Sequence, residues 1–206
     1  MLTIIDDFSR KLWVYFLKYK NEVFSTFKEW KTLFENQTSK KLKRLRTDNG
    51  LEFCSNEFNV FCKKEGVARH HTIPGTTQQN GVAARMNKTI LEGVCCMLSH
   101  SGLGKDFWAE AASTACYLIN HSPNRSLDNN IPSGNHVYYS NLRIFGCPVY
   151  THVSDVKLAH RAKKCIFLGY DYGVKGYRLY YPESCKSMYS RNITFHENVI
   201  LYSGTY

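Results

Sequence analysis

The sequence predicts an α/β domain followed by a small β-barrel, and three observations carry that prediction. Up to Asn120, short β-favouring runs alternate with amphipathic helical patterns. A polar stretch bearing Pro and Asn follows Ser122, and beyond it only short β-rich runs separated by turns recur. With 206 residues, 43% hydrophobic and 14% aromatic, the chain can bury a core in one ordinary domain plus a small one.

The chain opens on Leu2 to Ile5 and residues 11–17 (KLWVYFL), both apolar and β-favouring, with Asp6 to Arg10 between them as a hairpin turn. Asp6 and Asp7 are expected to bond to nearby backbone amides in that turn rather than to hold a metal. A sheet that opens here exposes an edge, so marginal stability or self-association is expected. Val23, Phe24, Phe27, Trp30, Leu33 and Phe34 recur at helical spacing and predict a helix over about 21–36 whose aromatic face is core.

Residues 41–47 (KLKRLRT) alternate towards a strand, 53–64 resume helical spacing, and 67–73 are extended before Pro74 and Gly75. Residues 79–98 and 106–120 read as two helices with Ala-rich faces that pack closely, joined at Gly102 and Gly104. The stretch PNRSLDNNIPSGN has the composition of a linker. The runs 147–153, 164–170, 177–182 and 187–195 then predict a small barrel. The expected organisation is an α/β core over 1–122, a linker over 123–141 and the barrel over 142–200.

Twenty-seven Lys and Arg against 17 Asp and Glu give a net charge of +10, which favours a polyanion such as nucleic acid by phosphate neutralisation. The eight cysteines contain no C-x-x-C pair and read as reduced, intracellular thiols. No apolar run approaches the ~18 residues of a membrane span, so no membrane partner is expected.

The most informative stretch is Arg46-Thr47-Asp48-Asn49-Gly50, a basic strand ending in a carboxylate and a turn glycine, which suits metal binding. Gln78-Gln79-Asn80-Gly81-Val82-Ala83-Ala84-Arg85-Met86-Asn87-Lys88-Thr89 follows at the start of a long helix. Together with IDDFSRKLWVYFLK and FWAEAASTACYLINHSP, these segments resemble the integrase of copia-type retrotransposon Pol polyproteins. LRIFGCPVY and RAKKCIFLGYDYGVKGYRLYYPE resemble the SH3-like domain that follows it. The resemblance spans nearly the whole chain. It implies a ribonuclease-H-like core, a mixed sheet with helices, and then an SH3-like β-barrel.

The resemblance further implies a DDE-type polynucleotidyl transferase, in which three carboxylates hold two Mg²⁺ or Mn²⁺ ions for 3′ processing and strand transfer. Asp48 matches the second acid and is the catalytic and metal-binding candidate. The third acid falls 36 positions later, where this chain has Ala84, and a methyl group binds no metal. Glu92, eight residues further along the helix, is displaced by ~12 Å of rise. The first acid would precede Met1. Retention of the metals, and with it catalysis, is therefore doubtful in this copy.

For DNA, Lys88 lies one turn beyond Ala84 and matches a basic position of the family, while Arg85, Gln79 and Asn80 border the same helix start. Thr77 and Gly75 depart from the family pattern and should loosen the preceding loop, and IPSGNH replaces its usual acidic-aromatic box after the linker. The basic cluster Lys40, Lys41, Lys43, Arg44 and Arg46 reads as a strand because Leu42 and Leu45 interleave it. His70-His71 and Cys95-Cys96 lack zinc-ligand spacing. The barrel tyrosines 150, 170, 172, 177, 180 and 181, beside Arg161, Lys163, Lys164 and Arg178, read as packing before nucleic-acid contact.

The function expected is thus that of a copia-type integrase fragment, DNA-binding and catalytically inactive. The alternative is a retained DNA-binding or protein-interaction module. The expected partners are DNA and, through self-association, further copies of the chain; no small-molecule substrate is expected. The expected location is intracellular, in the nucleus if the chain functions as its family does.

Overall fold

The computed structural model describes residues 1–72, 80–134, 138–152, 162–171 and 173–198. Strands β1 (Leu2–Ile5) and β2 (Leu12–Tyr15) form a two-stranded sheet. In the intervening turn, Asp6 Oδ2 accepts from the Ser9 amide at 3.0 Å and its hydroxyl at 2.6 Å, and Asp7 pairs with Arg10 at 2.6 Å. Both aspartates are turn residues, as their position predicts. By internal contacts the chain divides into two compact units: Met1–Ile4 with Val14–Asn87, and Ile5–Trp13 with Lys88–Tyr206.

In the first unit, α1 (Val23–Thr38) follows a single 3-10 turn at Lys20–Glu22 and stops at Ser39, which takes the left-handed conformation at φ 54°. Val23, Phe27 and Trp30 are buried as their spacing predicts, but Leu33 is 51% exposed. Helix geometry gives the reason. At 100° per residue, Leu33 lies ~80° to one side of the Val23-Phe27-Trp30 stripe, while Phe24, Lys31 and Glu35 lie on the other. That other side receives α2 (Asn56–Lys64): Phe58 stacks on Phe27 at 5.0 Å and meets Phe24 at 5.2 Å. Ser55 caps α2, its side chain accepting from the Phe58 amide at 3.2 Å.

Lys31 is therefore buried among aromatic rings, and two carboxylates compensate it, Glu65 at 2.9 Å and Glu35 at 3.1 Å. Glu35 also accepts from the Leu42 amide at 2.9 Å and pairs with Lys41 at 3.1 Å. The Leu42 amide, then Lys31 and Lys41, outweigh burial and hold the Glu35 carboxyl down at about 2. Burial works to lower Lys31, yet its bonds to Glu65 and Glu35 raise it overall.

Strands β3 (Arg44–Thr47) and β4 (Ala68–His71) pair in parallel, with Arg44 opposite Ala68 and Arg46 opposite His70. Both are shorter than the β-favouring runs that predict them. Helix α3 (Gly81–Ser101) continues from the first unit into the second.

In the second unit, α3 and α4 (Trp108–Asn120) approach closely: a Cβ built on Gly93 would stand 3.4 Å from that of Ala115. Ala111, Ala112 and Ala115 are buried, so the small-residue faces pack as their composition predicts. Asn120, fully buried, donates to the Leu12 carbonyl at 2.7 Å and accepts from the Leu12 amide at 2.8 Å.

The barrel is a five-stranded antiparallel sheet in the order β8-β7-β6-β5-β9, from β5 (Pro148–His152), β6 (Ala162–Tyr170), β7 (Tyr177–Tyr181), β8 (Lys186–Ser190) and β9 (Ile193–Phe195). The run 187–195 is two strands rather than one. β8 pairs with β7, whereas β9 pairs with β5 at the opposite edge, so the chain must turn at Arg191 and Asn192 to cross over. Cys147, Val149, Cys165, Phe167 and Leu179 fill the interior.

Helix α4 is seated on β6. Thr114 donates its hydroxyl to the Leu168 carbonyl at 2.8 Å, and Tyr117 stacks on Tyr170 at 4.1 Å. Glu110 meets Arg178 at 3.3 Å. Gly169, at φ +138°, leaves room for Thr114, whose hydroxyl would be 2.1 Å from any added Cβ. Tyr170, Tyr177 and Arg178 therefore serve packing in this structure, which is the reading that composition favoured. The Tyr172 and Arg161 of that group lie outside the described residues.

Candidate functional site

Asp48 leaves the end of β3 just after buried Thr47 and is exposed. Its Oδ1 accepts from the Gly50 amide at 3.1 Å, and the neighbouring Asn49 side chain donates to the Thr72 carbonyl at 2.8 Å. Arg69, reaching from β4, donates to Thr47 Oγ1 at 3.1 Å and to the Phe53 carbonyl at 2.9 Å, with its guanidinium 4.5 Å over the Phe58 ring. One side chain thus braces both ends of the acid-bearing turn. A Cβ added at Gly50 would meet Glu52 Oε2 at 3.0 Å and Asp48 Oδ1 at 3.1 Å, so two carboxylates converge over the same bare α-carbon.

Neither Glu52 nor Arg69 stands out in the sequence. Glu52 sits four positions after Asp48 and could have been noticed as a second acid of the same turn. Arg69 is brought to Thr47 and Phe53 only by the strand register, in which it faces Leu45, and no local pattern announces that.

Asn80 is half-buried at the start of α3, and Ala84, Arg85 and Lys88 are exposed along the helix. Lys88 Nζ lies 3.8 Å from Glu92 Oε1, with both side chains largely in water, so the pair is weak. Gln79 lies outside the described residues, as do Gly75 and Thr77. His70 and His71 are exposed on β4, and Cys95 and Cys96 on α3. The eight cysteines are unpaired thiols; burial pushes the Cys147 thiol up to about 12. Among the described residues no helix is long and apolar enough to cross a membrane.

A two-metal centre needs several hard oxygen donors facing one another. Asp48 and Glu52 supply carboxylates, but Ala84 presents a methyl to solvent where the family's third acid is expected. The donor set at these positions does not fit a pair of divalent cations.

A ribonuclease-H-like α/β core with a carboxylate at a strand exit, followed by an SH3-like sheet, defines an integrase-type chain, and comparison with known proteins agrees. Residues 1–77 match the integrase core domain family, and residues 147–204 match the retroviral polymerase SH3-like domain family. A chain of the simian T-cell lymphotropic virus intasome, solved in complex with the PP2A regulatory subunit B56 gamma, superposes with a TM-score of 0.52. It is 17% identical, and the match covers 91% of this chain and 68% of that one, a likeness of fold.

The retrovirus-related Pol polyprotein from transposon TNT 1-94 of Nicotiana tabacum is 47% identical over 206 residues, covering 97% of this chain. That from transposon RE1 of Arabidopsis thaliana is 31% identical over 207 residues, also covering 97%. The chain belongs to this family of retrovirus-related transposon Pol polyproteins. It spans 16% and 14% of the length of these two relatives.

Proposed function

We propose that this chain is a copia-type integrase segment that binds DNA without carrying out 3′ processing or strand transfer. The observation that carries this reading is Ala84. At the position where the family places its third metal-binding acid, α3 offers an exposed methyl group, which has no lone pair to give a metal. Glu92 does not replace it, because it stands two turns further along α3. DNA is the partner that the net charge of +10 favours, with Lys88 and Arg85 on α3 and Asn80 and Gln79 before it as contacts. The core occupies 1–122, the linker 123–141 and the barrel 142–200 in this reading, with self-association as in integrases generally and the nucleus as the place of action.

The test is 3′-processing and strand-transfer activity in Mg²⁺ and in Mn²⁺. It compares the chain, extended upstream by the segment that precedes the matched region in the tobacco relative, with the same extended chain carrying Ala84→Glu. Activity only with Glu at position 84 is expected. Activity with Ala84 in place would overturn the metal argument, and failure of both extended chains to bind DNA would overturn the DNA reading.

A further inference from the structure

Parallel strands in α/β folds are usually covered on both faces and read as continuous apolar runs. β3 and β4 depart from this. On one face, Leu45 and Arg69 are half-buried and Thr47 is buried, with His71 exposed at its end. On the other, Arg44, Arg46, Ala68 and His70 are all exposed. The register sets Arg46 opposite His70 and Arg44 opposite Ala68. The two arginines stand ~6.6 Å apart along the strand, and the strands ~4.8 Å apart, so three nitrogen-rich side chains share one small patch of surface.

The three arginines of this strand pair have different surroundings. Arg69 turns inward and is engaged by Thr47, the Phe53 carbonyl and the Phe58 ring. Arg44 and Arg46 face water, and among the described residues no carboxylate forms an ion pair with either. Of the exposed lysines leading into β3, Lys41 is drawn to Glu35, while Lys43 stands directly before Arg44. Guanidinium forks match phosphate oxygens with two parallel hydrogen bonds, and at an exposed site they bind without a burial cost.

We propose that the exposed face of β3 and β4, carrying Arg44, Arg46 and His70, is a docking surface for the phosphate backbone of a nucleic acid. This site is additional to the residues of α3. It rests on the reading of the chain as DNA-binding and adds a second, sequence-independent contact, since phosphate contacts fix position without reading bases.

The test is fluorescence anisotropy of the full chain with a labelled mixed-sequence DNA duplex across a salt series. The Arg44→Ser/Arg46→Ser variant is compared with a Lys18→Ser/Lys20→Ser control that removes the same charge elsewhere. Two lost phosphate contacts make the slope of log K against log salt shallower by about 1.8. The expected result is that shift in the arginine variant, with unchanged thermal melting, and a smaller one in the control.

Equal shifts in the two variants, or no shift in the arginine variant while the parent chain binds, would sink this proposal and leave the DNA reading standing. Absence of binding by the parent chain would sink the DNA reading itself. Competition by polyglutamate as effective as by inorganic polyphosphate would also overturn the phosphate assignment.

Discussion

The turn that carries Asp48 and the seam between α4 and β6 are built on opposite terms. The turn is exposed and is braced by Arg69. At the seam, Thr114, Tyr117 and Glu110 each meet a partner on the sheet, and Gly169 is the one residue type that admits the Thr114 hydroxyl. Substitution at the seam disturbs packing, whereas substitution at exposed positions of α3 such as Ala84 leaves packing alone. A change at an exposed position such as Ala84 therefore costs the fold little stability.

That contrast is most directly challenged at Gly169. Gly169→Ala should cost about 3 kcal/mol or more, from a strained backbone and the collision with Thr114, and lower the melting temperature by on the order of 10 °C. A melting temperature within a degree or two of the parent would show that the seam yields.

A smaller effect is expected at Glu35, whose folded carboxyl sits at about 2 against an ordinary 4.5. A depressed pKa contributes stability above pH 4.5 that is lost as pH falls from 4.5 towards 2, here about 2–3 kcal/mol. Urea denaturation at pH 7 and pH 3 should show Glu35→Gln losing most of its deficit at the lower pH. A deficit that stays constant would mean that the Leu42 and Lys31 contacts do not form.

The smallest effect belongs to Ala84→Glu, which should change stability by less than about 0.5 kcal/mol because the side chain is exposed. A large destabilisation measured by the same urea titrations would break the separation of chemistry from packing.

Sequence patterns reached the elements whose signal is local. The aromatic stripe of α1, the small faces of α3 and α4 and the runs that form β5, β6 and β7 carry their own local pattern, and they fold accordingly. Leu33 and Lys31 show the limit: periodicity marks a stripe but not which flank the next helix will cover. The division of 187–195 into β8 and β9 was hidden for a similar reason, since only pairing to opposite edges forces the turn at Arg191. At the site, Asp48 and Ala84 were legible from motif resemblance, while Arg69, Glu52 and the outward arginines of β3 acquire their roles from register and from the α2 ring beneath them.

The bond pair between Asn120 and Leu12 joins residues 108 positions apart. During synthesis at ~5–20 residues per second, Leu12 waits about 5–20 s before its partner exists. Through that interval the amide and carbonyl of Leu12 lack the side chain that satisfies them in the folded chain and stand open to another extended chain. The final residue of α4 therefore sets a deadline, and slower translation of the stretch between them lengthens the window in which neighbouring nascent chains can pair.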